Sequence, residues 1–121
     1  MKSILMSDAN HFAVAYVINP WMENQIGQCQ SDLSIEQWSQ LQSVLSQLTT
    51  VELIPSVANI PDLVFTANAG TVKDDLFVLS NFKHVERQAE EPIFKQWFQD
   101  NGYNVLQLPR EVSFEGAGDA L

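Results

Sequence analysis

Apolar positions in this chain recur with two different periods, and the elements they predict alternate. Ile35, Trp38, Leu41, Val44, Leu45 and Leu48 return every three or four residues, which places them on one face of a helix. Ser34-Ile35-Glu36-Gln37 reads as a capping box, so the pattern predicts a helix over about 35–48. A second helix is signalled by Glu90, Glu91 and Pro92 at its start and Asn101-Gly102 at its stop, with Phe94, Trp97 and Phe98 as its apolar face. Residues 11–19, HFAVAYVIN, are almost wholly apolar, as in a strand covered on both faces, and Pro20 ends the run. Shorter strands are expected over 51–55, 76–80 and 103–108.

The segment 61–70, PDLVFTANAG, adds polar groups to this pattern. Leu63, Val64 and Phe65 are good strand formers, and Asp62 and Asn68 are separated by an even interval. In a continuous strand both side chains would project from one face. The expectation is a buried strand that carries an acid and an amide into a pocket, with Ala69-Gly70 permitting a turn or a close backbone approach.

The order helix, short strand, proline occurs twice. VELIP at 51–55 has a counterpart in VLQLP at 105–109, a weak repeat of about fifty residues that suggests two similar α/β modules side by side. The closing FEGAGDAL reads as the start of a new element, so the chain is expected to be cut where a strand would continue.

Composition narrows the class. A chain of 121 residues has room for one modest core, and 45% hydrophobic content with twelve aromatic residues excludes disorder. No apolar run approaches the roughly 18–20 residues needed to cross a bilayer. The net charge of −9 repels phosphate backbones and anionic membranes, making nucleic acid and membrane poor partners, while a small cation would be attracted. A single cysteine, Cys29, rules out an intrachain disulfide, and with no signal-peptide pattern at the start a cytoplasmic location is the default expectation. His11 and His84 have no partner at metal-ligand spacing, so no protein-only zinc site is expected.

The residues that could carry chemistry are Asp62, Asn68, Arg87, Glu115 and Asp119, each near the end of a predicted element. Every one has a plainer alternative. Asp62 after Pro61 can start a turn, and Asn68 can accept a left-handed one. Arg87 can pair with Glu90 on a solvated helix start, a contact worth a few tenths of a kcal/mol. Glu115, between Phe114 and Gly116, can be an exposed loop carboxylate, and Asp119 can serve a pocket or brace a turn.

Taken together and in order, PDLVFTANAG, Arg87-Gln88-Ala89-Glu90 and FEGAGD resemble the N-terminal half of the guanidino-group-modifying family, which includes arginine deiminases, arginine dihydrolases, dimethylarginine hydrolases and amidinotransferases. HFAVAYVINPWM resembles the opening strand and substrate-side loop of a bacterial and cyanobacterial branch. The resemblance covers essentially the whole chain. It implies a pentein fold, an α/β propeller of five modules, of which residues 1–121 would be the N-terminal portion, about two modules of a single catalytic domain. Family enzymes attack the guanidinium carbon with a cysteine, move protons with a histidine and orient that histidine with a carboxylate, which divides one difficult step into two.

By resemblance Glu115 is the catalytic carboxylate, Asp62 and Asn68 hold the substrate's guanidinium and amino ends, and Arg87 clamps its α-carboxylate with a planar fork. Asn19 matches a loop residue lining the same pocket. Cys29, His11 and His84 do not match the family nucleophile or histidine, which should lie beyond Leu121. Asn68 stands where many relatives carry aspartate, and this resembles the dihydrolase branch, in which the ureido product is processed again to ornithine, carbon dioxide and ammonia. The implied function is therefore the substrate-binding half of an enzyme hydrolysing arginine or a close analogue without a cofactor or metal, inactive as this fragment. An amidinotransferase or a noncatalytic, self-associating module are the alternatives, and uncovered apolar faces predict a homo-oligomer.

Overall fold

Parallel neighbours cannot be joined by a tight hairpin, and each sheet of this chain solves that constraint with a helix. The structure is a computed structural model that describes residues 2–120, and it divides into two compact units between Thr66 and Ala67. In the first unit β1 (Ser3–Ser7) pairs in parallel with β2 (Thr50–Ile54), Ser3 opposite Thr50 and Ser7 opposite Ile54. Between them runs α1 (Ser31–Leu48). Met6, Ala9, Ile54 and Leu63 are buried here, and Phe12 meets Phe65 edge-on at 5.6 Å.

Helix α1 begins earlier than the capping box suggests. Gln30 is its N-cap without a side-chain bond, and Ser34 lies inside the first turn with Oγ donating to Gln30 O at 3.1 Å. Asp32 in the first turn complements the positive helix end and lets the helix start ahead of Ser34. The apolar period is right, but no residue of α1 is fully buried. Leu33, Leu41, Val44 and Leu48 remain exposed, Leu48 by 77%.

Two strand expectations fail. Residues 11–19 form no strand; they run irregularly, half-buried and exposed positions alternating. An apolar run becomes a strand only where a neighbour completes its ladder, and in this unit β2 is the partner of the short, polar-ended SILMS of β1. Residues 61–68 are not a strand either. Pro61–Val64 and Thr66–Asn68 are 3₁₀ turns, and Phe65 N donates to Asp62 O at 3.0 Å. Pro61 sits in the first turn, where its fixed φ and missing N–H suit a helical start and not a ladder. The even spacing of Asp62 and Asn68 therefore carries no common face.

In the second unit β3 (Gly70–Lys73) and β4 (Leu76–Leu79) make an antiparallel hairpin, and β5 (Asn104–Gln107) joins β4 in parallel. The order is β3-β4-β5, with α2 (Val85–Gln88) and α3 (Glu90–Asp100) forming the crossover. Strand β3 fills the stretch read as a turn after Asn68. Gly70 is what permits it, because a Cβ there would run into the Val78 carbonyl and the Phe77 ring. Phe94 and Phe98 of α3 are buried as expected; Phe98 stacks on Phe77 at 3.5 Å and meets Trp97 and Tyr103 edge-on.

VELIP and VLQLP fall on β2 and β5, each of which follows a helix and lies parallel to an earlier strand of its own sheet. No helix among the described residues is long and apolar enough to cross a membrane.

Candidate functional site

Asp62 belongs to the first unit. The 3₁₀ turn that Pro61 opens holds the residue inward, 5% exposed, and its carboxylate accepts from the Tyr16 hydroxyl at 2.5 Å. Tyr16 comes from the irregular 11–19 run. Asn19 is exposed and caps the short 3₁₀ turn Pro20–Met22, its Oδ1 accepting from Met22 N at 3.1 Å. That local bond explains Asn19 as an N-cap, a role that Asn commonly fills.

The same unit holds a second polar cluster. Ser56 Oγ donates to Asp8 Oδ1 at 2.5 Å and faces His11 Nδ1 at 2.8 Å, while Ser56 N and Asn10 N also donate to the Asp8 carboxylate. Partial burial pushes the Asp8 carboxyl up, but the Ser56 side-chain and backbone bonds, Asn10 N and the nearby His11 outweigh it and hold the carboxyl below the usual aspartate range. The hydroxyl proton points at the carboxylate and not at the imidazole. A serine nucleophile needs the opposite arrangement, so this trio is a clasp between the chain just past β1 and the chain just past β2.

In the second unit Asn68, Arg87 and Glu115 are brought together. Arg87 Nε and Nη2 each lie 2.8 Å from a different Glu90 oxygen, and Nη1 donates to Asn68 Oδ1 at 3.0 Å. Asn68 Nδ2 in turn donates to the Glu115 carbonyl at 3.2 Å. Arg87 and Glu90 are both buried, with the guanidinium 4.4 Å from the centre of the Phe82 ring. The pair is thus a buried, two-pronged ion pair and not the solvated helix contact of a few tenths of a kcal/mol. Breaking it from one side costs on the order of 3–5 kcal/mol, because a charge is left uncompensated.

Backbone contacts fix the position of Asn68 separately. Ser80 Oγ donates to the Asn68 carbonyl, and Gly116 at φ +59° packs so closely that a Cβ would sit 2.6 Å from the Ala67 carbonyl. Only glycine fits that approach comfortably. Glu115 touches Asn68 through its main chain, and Asp119 Oδ2 accepts from Glu115 N at 2.8 Å. Of the two roles open to Asp119, the turn brace is the one its bond fulfils.

Sequence reasoning missed Tyr16 and Phe82 as members of these clusters and gave Glu90 only a solvated pairing with Arg87. The Arg87–Glu90 interval was visible as an i,i+3 pair, yet burial decides its meaning and spacing does not reveal burial. Cys29 lies in the loop before α1, half-buried, its Sγ 3.2 Å from Ser34 Oγ. Among the described residues no group of three or more His, Cys, Asp or Glu could hold a metal ion.

No protein-family model matches the chain. It is 53% identical over 117 residues to the bifunctional arginine dihydrolase/ornithine cyclodeaminase AgrE of Nostoc sp., a match covering 97% of this chain and 17% of that protein. Among solved structures, the N-terminal domain of an ArgZ variant covalently bound to a reaction intermediate superposes with a TM-score of 0.96 at 48% identity, over 98% of this chain and 44% of that one. A dimethylarginine dimethylaminohydrolase bearing an S-methyl-L-thiocitrulline adduct superposes with a TM-score of 0.75 at 15% identity, over 94% of this chain and 44% of that one, a likeness of fold. The chain therefore spans less than a fifth of the full-length relative and under half of these two structures.

Proposed function

The chain belongs to the guanidino-group-modifying family, and from that premise we propose that it is the N-terminal, substrate-binding portion of an enzyme that hydrolyses arginine or a close analogue. The observation that carries this reading is the 53% identity to an arginine dihydrolase/ornithine cyclodeaminase across nearly all of these residues. The two units would be two of the five modules of a pentein fold. Asp62, anchored by Tyr16, would meet the guanidinium. Asn68 would meet the substrate's polar end with a neutral amide that both donates and accepts. Arg87 would contribute charge toward an amino-acid carboxylate, its Nε edge being committed to Glu90. Glu115 would orient the proton-transfer histidine.

The covalent step asks for groups these residues do not supply. A thiolate would attack the guanidinium carbon, ammonia would leave with a proton from the histidine, and water would then release the thiolate and a ureido product. The cysteine and histidine would come from chain outside residues 1–121. The fragment alone should therefore release no ammonia from arginine, and turnover by the purified 121-residue chain would overturn this assignment.

A neutral Asn68 would let a citrulline-like product be kept for a second hydrolysis to ornithine. In the longer enzyme Asn68→Asp should shift the product from ornithine toward citrulline; an unchanged ratio would sink the idea. Running the same assay with glycine present separates hydrolysis from amidino transfer, since a transferase would form the amidinated amine.

A further inference from the structure

We propose that Glu90 is a positioning residue that sets the orientation of the Asn68 side-chain amide through Arg87. The proposal rests on the reading of Asn68 as a pocket residue and extends it to Glu90, to which the motif resemblance gave no role. Asn68 is held in two independent ways. Its main chain is fixed by Ser80 Oγ on its carbonyl and by the close packing of Gly116, neither of which involves Glu90. Its amide group is fixed at Oδ1 by Arg87 Nη1 and at Nδ2 by the Glu115 carbonyl.

An amide can turn end for end about its last torsion, exchanging its donor and acceptor faces. What prevents this here is a cation that can only donate on one side and a carbonyl that can only accept on the other. The cation stays in place because both Glu90 oxygens bind its Nε–Nη2 edge at 2.8 Å, which fixes the guanidinium plane and sends Nη1 toward Asn68. Glu90 is fully buried, at the start of α3, and Arg87 is buried with it, so the bonds between them are shielded from competing water. Glu90 thereby decides which end of the Asn68 amide would face a bound molecule, without touching that molecule.

Proton exchange of the Asn68 Nδ2 hydrogens, read by NMR on the nitrogen-15-labelled 121-residue chain, tests this. In Glu90→Gln the backbone spectrum should persist, the Arg87 Nε–H signal should move, and Asn68 side-chain exchange should quicken by at least about threefold. A smaller change in Asn68 exchange overturns the proposal. If Glu90→Gln fails to fold, Glu90→Asp keeps the charge and leaves Arg87 in place but is one methylene too short to hold the Nε–Nη2 edge where Glu90 holds it. The same quickening is then expected, and its absence again overturns the proposal. No guanidino compound enters the measurement, so a wrong substrate assignment and a wrong role for Glu90 fail in different experiments.

Discussion

Ser56 shows how one hydroxyl can tie titration to stability. It donates a hydrogen bond to Asp8, whose carboxyl partial burial pushes up but that bond and its companions hold low. A carboxyl lowered in the folded state binds fewer protons than in the unfolded chain, so it stabilises the fold above the ordinary aspartate range, near 3.9, and the contribution is lost as pH falls through the lowered value. Urea titrations at pH 6 and at about pH 3 should show part of the acid loss disappearing in Asp8→Asn. Ser56→Ala should cost about 1.5 kcal/mol at neutral pH, the low end for a bond to a charged group because the site is only partly buried. Asn68 makes a contrasting case: its amide donates to a carbonyl at 3.2 Å and accepts from a guanidinium, and an aspartate could serve only the second contact. The thermal midpoint of Asn68→Asp should fall, since two acceptors then face each other.

At the scale of elements, α3 and the strands β4 and β5 were legible in the pattern, whereas β3 was not. Phe94, Trp97 and Phe98 recur at helical spacing, and the structure buries Phe94 completely. Phe94→Ala should cost roughly 3–5 kcal/mol, measured by chemical denaturation, as large cavities in aromatic cores do. By contrast α1 carries a good apolar period that is only half used: Ile35, Trp38 and Leu45 are half-buried, while Leu41, Val44 and Leu48 face outward. Periodicity reports which residues share a face and is silent on what covers it. The 61–68 turns were misread for a related reason, because Leu63, Val64 and Phe65 suit a strand locally while Pro61 and the neighbouring chain decide otherwise.

For the whole molecule, the exposed leucines of α1 and the single-sign charge act in opposite directions. A net charge of −9 keeps copies apart, and a stripe of Leu33, Leu41, Val44 and Leu48 favours covering it. The chain studied alone should self-associate at moderate ionic strength, where charge repulsion is screened within about 10 Å. Light scattering at 50 and 300 mM salt checks this; a stable monomer at both would count against self-association.

The sequence by itself determined the alternation of helix and strand, the second helix with its aromatic face, the repeated helix–strand–proline order, and the three ordered motifs that carry the family resemblance. These are local or linear properties, written in spacing and in the conformational limits of proline and glycine. Only the tertiary structure decided that PDLVFTAN turns twice instead of extending, that β1 and not the more apolar run at 11–19 pairs with β2, and that Arg87 and Glu90 are buried together. Each of those depends on partners distant in the chain: a ladder needs a second strand, and a charge pair changes from a trivial surface contact to a rigid clamp only when other residues exclude water from it.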